Sequence, residues 1–298
     1  MKNLTLKQLR YFEALARHSH FGRAAEACSI SQPALSMQIR EMEASLGTAL
    51  FERQARRLRL TGFGADVLAR ARTILAQVEE LTDLARVAQS GLTGRLRIGI
   101  IPTIAPYLLP ALIGRLAADF PALELSLRET LTPHLLRELA EGGLDCAILA
   151  LPVSEPALTE VALFDESFVL VRPLSDADRP VPSRETLREM RLLLLEEGHC
   201  FRDQALSFCN LRPSRPREMM DGSSLSTLVQ MVGAGIGVTL IPDMAVAVET
   251  RSAPVAVTAF RDPQPKRTIG MVWRKTSPLA PRLQQIAEVV RAAGQPLP

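Results

Sequence analysis

The hydrophobic period of this 298-residue chain changes near Arg95, and that change limits the fold more than any other feature. Before it, apolar residues recur at spacings of three and four, as on amphipathic helices. After it, short apolar runs alternate with helical stretches, as in an α/β sheet. A mostly helical head is therefore joined to a larger α/β body, and the length accommodates two or three domains.

In the head, Thr5 and Gln8 have the spacing of a capping box. Leu6, Leu9, Phe12, Leu15 and Ala16 form the stripe of a first helix ending near His18. Ser19 is placed to cap a second helix, with Phe21, Ala24, Ala25 and Cys28 inward. Ser31 caps a third helix, in which Pro33 is tolerated in the first turn and Gly47 closes the end. Leu35, Ile39, Met42 and Leu46 are its buried stripe, which leaves Gln32, Ser36, Met37 and Arg40 outward. Short polar residues and an arginine at the start of a helix suit base edges in a major groove. Arg53, Arg56, Arg57 and Arg59 follow around the strand-like alternation of Leu58 and Leu60, where they are suited to phosphates. These features read as a winged helix-turn-helix; the competing reading is a small helical subdomain with a solvated face. Charge favours the first. Residues 1–60 hold ten Lys/Arg against five Asp/Glu, +5, which leaves −2 for the rest of a chain of net charge +3.

Residues 62–90 read as one long helix. Val67, Ala71, Ile74, Val78, Leu81, Ala85 and Ala88 make a seam that alternates by four and three, suited to pairing with another helix. Residues 89–94, Gln-Ser-Gly-Leu-Thr-Gly, are a hinge. Strands are predicted at Leu96–Ile101, Leu123–Leu127, Cys146–Leu149, Phe168–Val171, Arg217–Met220, Val238–Ile241 and Arg267–Trp273, with helices between them and a closing helix at Leu283–Ala292. Cys146 belongs to a buried run. Gly233, Gly235 and Gly237 follow a helix and precede a strand, the reverse of a phosphate-binding loop, so no nucleotide is implied. Thr103 and Thr132 lie just after two strands, at the sheet end where ligands sit.

The chemistry concentrates in Glu196–Cys209. Cys200 has His199, Arg202 and Asp203 beside it, and Cys209 lies nine positions on. A cysteine with cationic neighbours tends toward thiolate, the form that meets oxidants. Gly198 breaks the preceding apolar run, and Phe201–Cys209 reads as a short helix. Nine helical residues rise roughly 13–14 Å, whereas a disulfide needs Cα atoms within about 7 Å. Bridging the pair therefore requires the helix to unwind. Two unrelated buried cysteines remain an alternative. A zinc site is a third, although one His-Cys pair and a distant Cys lack close-spaced ligand pairs. Four cysteines are too few for a secreted disulfide scaffold. The first residues lack a signal-peptide core and no apolar run reaches membrane length, so a cytoplasmic protein without membrane contact is expected.

The ordered residues Phe21, Ala24-Ala25, Ser31-Gln32-Pro33-Ala34-Leu35-Ser36, Gln38-Ile39-Arg40, Glu43, Leu46-Gly47 and Leu50-Phe51-Glu52-Arg53 resemble the DNA-binding head of LysR-type transcriptional regulators. The resemblance implies an α+β multidomain protein. Its parts would be a winged helix-turn-helix at 1–61, a linker helix at 62–90 and a regulatory domain at 91–298 with two α/β lobes similar to periplasmic binding proteins. Lobe I would take about 95–165 and 268–298, and lobe II about 166–267. It implies that Gln32, Pro33, Ser36 and Arg40 face bases and that Arg53 meets the backbone of promoter DNA. It also implies a homodimer through the linker helix, commonly a homotetramer, with RNA polymerase as a partner. Most members bind a small effector between the lobes.

Gly198-His199-Cys200-Phe201-Arg202-Asp203-Gln204-Ala205 with Phe208-Cys209 resembles the loop of the family's peroxide-sensing members. Ile101-Pro102-Thr103, Phe164-Asp165-Glu166 and Arg267-Thr268-Ile269-Gly270 are also similar. By that resemblance Cys200 is the peroxidatic thiol and Cys209 the resolving one. Thr103, Thr132, His199 and Asp203 would hold hydrogen peroxide or water, and the protein would switch oxidative-stress genes with no cofactor or metal. The segment Leu211–Pro216 is less similar and rich in proline. The competing readings are a regulator answering a metabolite in the cleft, its cysteines incidental, and a thiol peroxidase. The DNA-binding head and the lack of a CxxC or a paired acid/base set oppose an enzyme.

Overall fold

The computed structural model describes residues 4–54, 57–87, 93–209, 221–261 and 264–294. Contacts group into two compact units, residues 1–85 with 141–143 and residues 86–140 with 144–298. In the first, α1 (Leu6–His18), α2 (Phe21–Ala27) and α3 (Gln32–Leu46) pack around Phe12, Leu15, Ala24, Leu35, Ile39 and Met42. The capping box at Thr5 is complete: its Oγ1 accepts from the Gln8 N–H at 3.2 Å, and the Gln8 side chain accepts from the Thr5 N–H at 3.1 Å. Ser31 caps α3, and Gly47 closes it at φ 73°, the left-handed conformation that a side chain resists.

Ser19 departs from expectation. It closes α1 in the left-handed conformation, φ 48°, with its N–H on the Leu15 carbonyl. His20 is then the residue left to cap α2, and its Nδ1 accepts from the Gly22 and Arg23 N–H groups at 3.1 and 3.3 Å. A ring nitrogen serves here as an Asp or Asn oxygen commonly does. Strands β1 (Phe51–Gln54) and β2 (Arg57–Leu60) pair antiparallel with Arg53 opposite Leu58, forming the wing. Glu43 Oε1 fixes its start by accepting from the Leu50 and Phe51 N–H groups at 2.8 and 3.3 Å. Arg56 and the side chains of Arg53 and Arg57 lie outside the described residues. α4 (Gly62–Val87) carries the seam. Ala71 is buried and Val67 half-buried against the head's core, while Ile74 and Leu81 stay 42% and 66% exposed. The Ala85 side chain, Ala88 and hinge residues 89–92 lie outside the described residues.

The second unit begins with β3 (Gly94–Ile100), α5 (Ala105–Asp119), β4 (Leu123–Glu129), α6 (Thr132–Ala140), β5 (Cys146–Leu151) and the long β6 (Leu158–Pro173). There follow α7 (Arg184–Glu189), β7 (Leu192–Leu195), α8 (Cys200–Phe208), β8 (Asp221–Gly222), α9 (Leu225–Gly233) and β9 (Val238–Pro242). The chain ends with α10 (Val246–Glu249), β10 (Val255–Ala259), β11 (Lys266–Arg274) and α11 (Ala280–Ala293). The strand order is β4-β3-β5-β11-β6-β9-β7-β8, with β10 also on β6. The alternation of strands and helices predicts a parallel sheet, but the sheet is mixed. β3 pairs parallel with β4 and β5, and β7 with β8 and β9, while β6 and β11 run antiparallel to their partners.

β6 is the reason, and only its end from Phe168 to Val171 is apolar enough to read from sequence. Its sixteen residues include Thr159, Glu160, Asp165 and Glu166, which break the apolar run. Its first half pairs with β11 and its second with β9 and β10, so one strand crosses from one lobe to the other. Each lobe has its own core. One gathers Ile98, Ile148, Met271 and Ile286; the other gathers Phe168, Leu193, Phe201 and Leu240. Cys146 is fully buried in the first, where burial pushes its thiol well up. The expected strand Arg217–Met220 lies outside the described residues.

Candidate functional site

On the head, Gln32, Pro33 and Arg40 are exposed and Ser36 is half-buried. Gln32, Ser36 and Arg40 fall at intervals of four and so share one face of α3. Met37 lies beside them, 53% exposed. The buried stripe of Leu35, Ile39 and Met42 holds that face outward.

In the second unit the apolar strand β7 ends at Leu195, and Gly198 turns the chain at φ 94°. A side chain there would be strained, and its Cβ would stand 3.0 Å from Leu131 Cδ1. The close approach sets the segment before Cys200 against the turn that carries Thr132. Cys200 is the first residue of α8, where backbone N–H groups lack helical partners and partial positive charge gathers. Its half-buried side chain packs on the first lobe's core, although α8 belongs to the second. Cys209 caps the far end of α8, fully buried in the second lobe's core. Neither cysteine is in a disulfide. The helix between them holds their backbones roughly 13 Å apart, beyond the reach of a disulfide.

Thr103 is 2% exposed, just after β3. Arg267 of β11 donates to its Oγ1 from Nη1 at 2.8 Å and to its carbonyl from Nη2 at 3.1 Å. Arg267 also donates from Nε to Glu166 Oε2 at 2.6 Å, and its guanidinium carbon stands 5.3 Å from the Phe201 ring centroid. The Phe201 ring meets Phe168 edge-on, centroids 4.8 Å apart. A buried chain of contacts therefore runs from Thr103 through Arg267 to the residue beside Cys200. Burial raises the Glu166 carboxyl above its ordinary range, and Arg267 opposes that rise. Thr132 begins α6, and its buried hydroxyl has no hydrogen-bond partner among the described residues. The same holds for Gln204 Oε1, one helical turn after Cys200.

His199 occupies the N-cap position without making a side-chain cap. Its half-buried ring is held below the ordinary histidine range, first by burial, with Glu196 opposing. Asp203, three positions after Cys200 and so on the same face of α8, is exposed. Arg202, which the sequence places as a cationic neighbour of the thiol, is engaged elsewhere: Nη1 donates to the Leu195 carbonyl and to Asp221 Oδ1, each at 2.6 Å. No role for Arg267, Glu166 or Gln204 is legible from the sequence pattern. An arginine within an otherwise apolar strand was the available signal, since a buried charge requires a partner. Among the described residues no group of three or more His, Cys, Asp or Glu side chains could hold a metal ion. No described helix is long and apolar enough to cross a membrane.

Residues 6–65 match the bacterial regulatory helix-turn-helix family named for LysR, and residues 89–295 match the LysR substrate binding domain. This chain belongs to the LysR family of bacterial transcriptional regulators. As a LysR-type regulator it is 43% identical over 294 residues to the DNA-binding transcriptional dual regulator OxyR of Escherichia coli K12, covering 97% of this chain and 95% of that one. A full-length OxyR from Pseudomonas aeruginosa with a cysteine-to-aspartate change superposes with a TM-score of 0.78 at 36% identity, covering 99% of both chains. A hydrogen-peroxide-bound OxyR from Corynebacterium glutamicum with a cysteine-to-serine change gives 0.67 at 38% identity, covering 98% of this LysR-type chain and 92% of that one.

Proposed function

We propose that this LysR-type regulator senses hydrogen peroxide with Cys200, forms a disulfide with Cys209, and thereby controls oxidative-stress genes. One observation carries the reading: Cys200 and Cys209, not joined by a disulfide, pack with different lobe cores at opposite ends of one nine-residue helix. In this arrangement a disulfide between them cannot form without rearrangement, so the bond itself is a signal.

The Cys200 thiolate sulfur attacks one peroxide oxygen and the O–O bond breaks. The sulfur becomes a sulfenic acid and the departing hydroxide takes up a proton to leave as water. The Thr103 hydroxyl, positioned by Arg267, and the unpartnered Thr132 hydroxyl support donation to the reacting oxygens. His199, neutral over a wider pH range than an exposed histidine, and Asp203 complete the proposed peroxide pocket. Cys209 sulfur then attacks the sulfenic sulfur, the S–O bond breaks, and a second water leaves. Two thiols have lost two electrons and one peroxide has become two waters.

Gln32, Pro33, Ser36 and Arg40 are proposed to read bases, and Arg53 to meet the backbone, in double-stranded promoter DNA. The exposed Ile74 and Leu81 support a homodimer through α4, from which a homotetramer that contacts RNA polymerase in the cytoplasm is assembled. Equimolar peroxide followed by mass-spectrometric disulfide mapping tests the central claim. A Cys200–Cys209 bridge is expected, and Cys200→Ser should abolish the peroxide response while leaving DNA binding intact. No bridge, or a response retained by Cys200→Ser, returns the cleft to a bound metabolite.

A further inference from the structure

We infer that Arg188 is a positioning residue that holds Cys209 out of reach and sets how readily the thiol pair closes; this rests on the peroxide-sensing reading. Arg188 lies in the last turn of α7, 21 positions before Cys209, and its Nε donates to the Cys209 carbonyl at 2.9 Å. That carbonyl ends α8, where the helix itself offers no N–H. α7 is a firm anchor. Ser183 caps it through the Thr186 N–H at 3.2 Å, and Leu187, next to Arg188, is fully buried in the second lobe's core. The bond therefore joins the backbone of the resolving cysteine to a fixed part of the lobe.

Closure requires Cys209 to travel. Its sulfur must reach the Cys200 sulfenic sulfur to form the S–S bond, while the S–O bond breaks and water leaves with the Cys209 proton. Travel from a helical separation to disulfide distance moves the Cys209 backbone by several ångströms, far more than a hydrogen bond tolerates. The Arg188 bond is broken on the way. It stabilises the reduced form alone, and it acts on the second step and not on peroxide attack.

Arg188→Met keeps the apolar stem and removes the donor; Arg188→Lys keeps a cationic donor. The loss of one charged-donor hydrogen bond from the reduced form corresponds to roughly a tenfold effect. In the Cys200→Ser background, where no redox chemistry intervenes, Cys209 alkylation by iodoacetamide, followed on its own peptide, should run about tenfold faster with Arg188→Met. With Cys200 present, sulfenic acid forms at an unchanged rate and the disulfide closes about tenfold faster. In a glutathione buffer the disulfide is harder to reduce by the same factor. Arg188→Lys should lie near the parent in all three. Unchanged alkylation with Arg188→Met overturns the tether. Faster alkylation with unchanged closure overturns its role in the switch. A slowed first step also overturns it, since Arg188 would then act on peroxide attack. Absence of any disulfide in the parent protein defeats the sensor reading, and the alkylation comparison still decides the tether.

Discussion

At the level of single residues the sequence was most informative where a side chain's chemistry is local. Cys200, His199 and Cys209 announce themselves by spacing, and Thr103 by its place after a strand. Arg267 did not, because its meaning lies in residues 101 and 164 positions away: Glu166 and Thr103. The sequence carries the arginine but not its partners. This buried pair makes a testable demand. Arg267→Ala leaves the Glu166 carboxylate buried without a counter-charge and should destabilise the body by about 3–5 kcal/mol. Burial already raises the Glu166 pKa, and loss of Arg267 raises it further. A carboxyl whose folded pKa is raised loses stability as pH climbs from its unfolded value, near 4.3, through the folded one. The cost of Arg267→Ala is therefore smallest at acid pH and grows toward neutrality in urea titrations. Adding Glu166→Gln should remove that pH dependence. A cost that is flat with pH would mean that Glu166 is not the group left uncompensated.

At the level of elements, helices with capping signals were legible nearly to the residue, as α3 between Ser31 and Gly47 and α8 after Gly198 illustrate. Elements whose logic is tertiary were not. β6 carries acidic residues through its middle because they pair with β11 residues, Asp165 with Lys266 and Glu166 with Arg267. α7 is only six residues long and has too short a stripe to register. α8 has the properties a switch element needs: it is short, and its stability comes from packing more than from helix formation. Phe201 supplies much of that packing, between Phe168 and Arg267. Phe201→Ala should cost the reduced form about 3–5 kcal/mol and so allow the disulfide to form at lower peroxide. Titration of the bridged fraction against peroxide checks this, and an unshifted midpoint would place the switching energy outside the Phe201 contacts.

At the level of the whole molecule, a redox event in the body matters only if the DNA-binding heads act in pairs, because two heads read two half-sites at fixed spacing. The seam of α4 bears on that requirement. Val67 and Ala71 serve the head's own core, so the apolar pattern is shared between folding and assembly, and the sequence alone could not divide it. The division is visible in exposure: Ile74 and Leu81 remain outward on the described part of the helix. Covering a leucine of this kind in a partner's seam is worth about 2 kcal/mol, counted once for each chain of a symmetric pair. Leu81→Glu removes both contributions and sets two carboxylates close together at the interface. It should weaken dimerisation by at least about a hundredfold without unfolding the head, whose core Leu81 does not enter. Sedimentation should then show lighter species at micromolar concentration. Affinity for a two-half-site operator should fall while the weak affinity for a single half-site is kept. An unchanged sedimentation profile would place the dimer contact elsewhere than on α4.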